Sequence, residues 1–133
     1  MAQELYSLDI VFQRSEELVQ VLGVQPAVLI EILTREPGLL VVTPSQLGMR
    51  VMALKMSLPL LNVPELIRRH PKVLRSENGV SAVKRAVKDM NMLMPAYHVQ
   101  ERLLDDDGQM WMSFKERLMY WERQMLLAKA SEP

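Results

Sequence analysis

A ten-residue segment occurs twice in this chain at an offset of 34 residues, and that offset constrains the fold more than any other feature. Glu31-Ile32-Leu33-Thr34-Arg35-Glu36-Pro37-Gly38-Leu39-Leu40 returns as Glu65-Leu66-Ile67-Arg68-Arg69-His70-Pro71-Lys72-Val73-Leu74. Acid, two aliphatics, arginine, proline and two aliphatics keep register. Further on, Arg50 maps onto Lys84 and Met56 onto Met90. Proline cannot donate to the helical ladder and clashes with a helical residue before it, so Pro37 and Pro71 each stop a helix and each unit is a pair of helices.

The first helix of unit one opens at Pro26, where the missing N–H would have had no partner, and carries Leu29, Ile32 and Leu33 on one face. Its partner opens with a capping box, Thr43 over Gln46 with Pro44 in the first helical position, and continues through Leu47, Val51, Leu54 and Lys55. In unit two Asn62 caps a short helix running to His70, and Ser76 or Asn78 caps a second running to about Asn91. The shared register places Leu33 and Ile67 in equivalent buried sites.

Upstream, Leu5, Leu8, Phe12, Val19 and Leu22 follow helical spacing, interrupted at Ser15, until Gly23 ends the segment. Downstream, Pro95 opens a helix through Leu104, and Asp105, Asp106 and Asp107 place negative charge near the start of the last one. Along that last helix Trp111, Phe114, Leu118, Trp121, Met125 and Ala128 form an unbroken apolar seam. The seam needs a cover, either the chain's own repeats or a docking partner. Met112, Met119 and Leu126 add a second stripe, so this helix needs two neighbours. With 133 residues, 49% of them apolar, the chain can bury one core. The expectation is all-α: a short helical-repeat solenoid of helix pairs in one domain. It comprises an N-terminal capping helix at 1–23, two repeats at 24–91, and a degenerate repeat with the C-terminal helix at 92–133.

Several function classes drop out. There is no cysteine, which removes disulfides, zinc–thiolate sites and thiol nucleophiles. No run approaches the roughly eighteen apolar residues of a membrane span, so no membrane insertion is expected. His70 and His98 stand 28 residues apart with no nucleophile arrangement and no glycine-rich phosphate loop, so neither catalytic residues nor a cofactor are expected. His98, Glu101 and Asp105 can share a helical face, but such spacing is common on solvated helices and assigns no metal. The first twenty residues hold four acids and one base, so neither a transit peptide nor a secretory signal is visible.

Charge is balanced overall and uneven along the chain. Residues 1–36 sum to −4, 37–98 to +6 and 99–133 to −2. The basic surplus sits in Arg68, Arg69, Lys72, Arg75, Lys84, Arg85 and Lys88, which suit a phosphate backbone of DNA or RNA or else form a solvated repeat surface.

The run from Leu22-Gly23-Val24 through Arg35-Glu36-Pro37-Gly38-Leu39-Leu40, with its second copy at Leu66 to Leu74, resembles the mitochondrial transcription termination factor (mTERF) family. The resemblance covers about residues 18–90, and at position 105, where a third proline would fall, this chain has aspartate. It implies a curved helical solenoid found in mitochondria or chloroplasts, whose longer members bind double-stranded DNA or RNA along a basic concave surface and act in transcription, ribosome assembly or translation. The alternative is a non-catalytic accessory subunit of a large assembly, such as an organellar ribosome or respiratory complex. In that case a protein partner docks on Trp111, Phe114, Leu118, Trp121 and Met125.

Overall fold

The computed structural model describes residues 8–104 and 109–130, and all regular structure among them is helical. The helices are α1 (Leu8–Leu22), α2 (Pro26–Arg35), α3 (Pro44–Ser57), α4 (Val63–Arg69), α5 (Glu77–Leu93), α6 (Val99–Arg102) and α7 (Gln109–Ala130). Short 3-10 turns follow α2 (Pro37–Val41) and α4 (Pro71–Leu74). Leu5, Asp105, Asp106 and Asp107 lie outside the described residues, as do the side chains of Leu8 and Phe12.

Local chemistry sets the helix ends. The Thr43–Gln46 capping box forms in both directions, Asn62 accepts from the Glu65 N–H, and Ser76 rather than Asn78 caps α5. Gly23 takes a φ of +68°, the left-handed turn that closes α1. Four helices stop at a residue before proline, and all four stops share one geometry. Glu36, Leu58, His70 and Met94 have φ of −140, −131, −144 and −136° with ψ of 73, 67, 69 and 64°. In each, the N–H still donates to the carbonyl four residues back at 2.8 Å, while the carbonyl turns outward to accept from the N–H three residues on. The proline ring excludes the α conformation at the residue before it, which converts the last helical residue into a corner. Pro59 and Pro95 therefore act as Pro37 and Pro71 do. Pro95 closes the corner after α5 instead of opening a helix through Leu104, and the helix there is only Val99–Arg102, entered from His98 at a left-handed φ of 53°.

The elements pack in a regular succession: α1 on α3, α3 on α5, α5 on α7, with α2 set against α4. One buried cluster runs through them, including Leu22, Ile32, Leu54, Leu66, Val83 and Phe114. Ile32 and Leu66, and likewise Leu39 and Val73, occupy repeat-equivalent sites at 0% exposure. Leu33 and Ile67 do not: Ile67 is fully buried and Leu33 only partly. Helix α4 lies between α2 and, through Arg69, the chain at Leu104, whereas α2 packs on α1 and α4 and leaves Leu33 partly open.

Arginines tie separate segments together through hydrogen bonds to backbone carbonyls. Arg14 on α1 donates to the Leu40 carbonyl at 2.8 Å, and Arg50 on α3 donates to the Leu74 carbonyl at 2.7 Å. Arg35 at the end of α2 donates to the carbonyls of Arg68 and Arg69, each at 2.7 Å, and Arg69 donates to the carbonyl of Leu104, also at 2.7 Å. Each cation meets carbonyls left without an intrahelical partner at a chain corner or helix C-terminus, where the helix dipole also favours positive charge.

Candidate functional site

The seven cations singled out from the sequence fall into three groups. Arg68 and Arg69 are half-buried and paired within the chain. Arg68 holds Glu65 through a bidentate pair and reaches Glu31 on α2 at 3.3 Å. Arg69 bonds Glu65 at 3.0 Å and Leu104, and its guanidinium lies 5.5 Å from the centre of the Trp111 ring. The hydrogen bond from Arg68, joined by Arg69, holds the Glu65 carboxyl down at about 2 against the partial burial that opposes ionisation. Glu65 in turn pushes the Arg68 guanidinium up. Two acids and two bases balance here, so part of the central positive charge is spent on joining α2 to α4.

Lys72 and Arg75 form the second group, beside the second 3-10 turn. Their side chains are 59% and 55% exposed, with long ion pairs to Glu122 (3.8 Å) and Glu36 (3.6 Å). Together with Ser76, Asn78 and Gly79 they line one wall of a groove whose other wall is Met119, Glu122, Arg123 and Leu126 of α7. Glu122 also accepts from His70 Nε2 at 3.1 Å, which fastens the middle of α7 to the corner before Pro71. No spacing rule connects residues 70 and 122, so the sequence carries no signal for that contact.

Lys84, Arg85 and Lys88 are the third group, all exposed on the outer face of α5 as their three- and four-residue spacing requires. Lys84 borders a groove between α3 and α5 with Gln46, Met49 and Arg50. Arg85 leans the other way, 4.9 Å from the centre of the Trp121 ring. Five of the seven cations thus remain open to an anion, and all seven do not make one surface.

The candidate docking seam faces α5 and is covered there in large part. Phe114 and Leu118 are 0% exposed, and Trp111, Trp121 and Met125 are partly buried against the core. The Trp121 indole N–H donates to Asp89 of α5 at 2.7 Å, and Trp111 stacks at a tilt on Phe114, 5.6 Å between centres. Packing against α5 thus takes up Phe114 and Leu118 completely and Trp111, Trp121 and Met125 in part. What α7 leaves exposed is its opposite face, including Met112, Met119 and Leu126.

His98 Nδ1 lies 3.9 Å from Glu101 with both side chains more than half exposed, and Asp105 is outside the described residues. Among the described residues no three histidines, aspartates or glutamates group as a metal site would. No single described helix is long and apolar enough to cross a membrane. Comparison of the chain with family models, with curated proteins and with solved structures returned no match.

Proposed function

We propose that this chain is a non-catalytic helical-repeat binding module: a short solenoid of stacked helix pairs, closed at one end by α1 and at the other by α7. Its work, in line with the resemblance to mTERF proteins, is in organellar gene expression, where it touches nucleic-acid phosphates through Lys72, Arg75, Lys84, Arg85 and Lys88. The observation that carries this is how the basic block divides. Arg68 and Arg69 are matched internally by Glu31 and Glu65, while the other five extend into solvent around the second 3-10 turn and α5. Arginine-to-carbonyl bonds between segments 24 to 35 residues apart, among them those of Arg35 and Arg69, which are 34 residues apart, support the solenoid.

Phosphate contacts release counterions, so affinity falls with salt in proportion to their number. Five exposed cations spread over two elements engage roughly three phosphates at once, giving a slope of log affinity against log salt near about −3 on duplex DNA. Replacing Lys84, Arg85 and Lys88 with glutamine flattens that slope and costs about 1 kcal/mol of stability, the loss coming from the contact of Arg85 with Trp121, since none of the three is buried. Absence of binding to duplex or single-stranded DNA or RNA at low salt discards the nucleic-acid reading. The second reading is an accessory subunit of a large organellar assembly, favoured by the exposed methionine and leucine side chains on the outer face of α7.

A further inference from the structure

Helix α7 spans Gln109–Ala130, about 33 Å at the usual helical rise, and only one side of it is covered by the described residues. Opposite the buried seam, Met112, Glu116, Met119, Tyr120, Arg123 and Leu127 recur every three or four residues and so share a face. All six are exposed, the four large apolar ones by 53–57%. The order of chemistry along this face reads apolar, acid, apolar, apolar, base, apolar. A half-turn about the point midway between Met119 and Tyr120 exchanges those two, puts Glu116 onto Arg123, and puts Met112 onto Leu127. Apolar groups meet apolar groups and the acid meets the base.

We propose that this face pairs with α7 of a second copy of the chain, antiparallel, about a two-fold axis at that midpoint. A two-fold interface presents one patch to itself, so the patch must be complementary to its own rotated image, and this one is. Parallel pairing in register sets Glu116 on Glu116 and Arg123 on Arg123, which repel. Among the described residues neither Glu116 nor Arg123 has an ion-pair partner, so both charges are available across the axis. The methionines adapt to the opposing surface without demanding one shape. A single helix pair of this length lies at the small end of specific interfaces, so the dimer is weak and concentration-dependent, with Kd on the order of 10 µM. The pairing is independent of whether the chain binds nucleic acid.

Sedimentation equilibrium of the full chain from 1 µM to 300 µM as the probe range, on the order of the expected Kd, tests it. The parent shifts from monomer to dimer across that range. E116R places two arginines opposite each other and weakens the dimer by about tenfold or more, and R123E does the same with two glutamates. The double variant E116R/R123E restores parental affinity, and an equimolar mixture of the two single variants forms a heterodimer, because acid again faces base. Circular dichroism and melting of each variant confirm the monomer fold, since both residues are exposed. A parent that stays monomeric throughout overturns the proposal. So does a dimer indifferent to E116R, or a folded double variant that stays as weak as the single ones.

Discussion

Replacing Gly79 with alanine adds a methyl group where no atom fits. Gly79 lies in the first turn of α5, and a Cβ built there would sit 2.3 Å from the Val73 carbonyl oxygen and 2.8 Å from the Val73 Cα and carbonyl carbon. Both sides of that contact are backbone, so neither can swing aside as a side-chain tip does. The upper end of the usual overpacking cost therefore applies, about 3 kcal/mol. Alanine recovers about 1 kcal/mol of helix propensity, leaving a net loss of about 2 kcal/mol. For a chain of this size that is a drop in Tm of about 8 °C. Gly48 supplies the control. It also lies inside a helix, α3, but its added Cβ meets only the Val21 Cγ1 at 3.8 Å, an ordinary contact. Gly48→Ala should raise stability by about 1 kcal/mol through propensity alone. Thermal and urea unfolding followed by far-ultraviolet circular dichroism read both changes. A Gly79→Ala variant that melts at or above the parent would refute the close approach of α5 to the second 3-10 turn. Equal losses in both variants would mean that glycine matters for some reason other than space.

Two further perturbations follow from the polar contacts. The Glu65 carboxyl ionises at about 2 in the folded chain against 4.5 for the unperturbed group, so its contribution is complete above about pH 4.5 and is lost as pH falls through the folded value. Discounted for solvent screening it amounts to about 1 kcal/mol, and the stability gap between the parent and Glu65→Gln should close between pH 4.5 and 2 in urea titrations; a gap constant across that window would show that the pair with Arg68 contributes nothing. Arg50→Met keeps the apolar stem but removes the bond to the Leu74 carbonyl, at a cost of about 1.5–2 kcal/mol for a charged donor, and an unchanged urea midpoint would remove the inter-unit arginine bond from the account of stability.

Much of the fold was legible from local chemistry. A capping hydroxyl and the N–H it serves are three residues apart, a proline acts on the residue before it, and the left-handed glycine acts at its own φ. Thr43, Asn62, Ser76, Gly23, Pro37 and Pro71 therefore fixed helix ends without reference to the rest of the chain. The apolar seam of α7 was legible for the same reason, since helical period alone puts Phe114 and Leu118 on one side. Pro95 was misplaced, since a proline can open a helix or end one, and α5 had already used the preceding residues up to Leu93.

Three things were decided only in the tertiary structure. Arginine at positions 68 and 69 looks the same in sequence as lysine at 84 and 88, a cation in a basic block. Whether its charge reaches solvent depends on Glu31 and the Leu104 carbonyl, 37 and 35 residues away. The cover of the tryptophan seam depends on α5 reaching it with Asp89, 32 residues before Trp121. The need for glycine at 79 depends on how closely a separate turn approaches α5. Sequence determines what each helix offers, because hydrogen bonding and sterics within a helix act over about four residues. What each face meets is set by packing between segments tens of residues apart, and that packing decides which charges are spent inside the molecule and which remain on its surface.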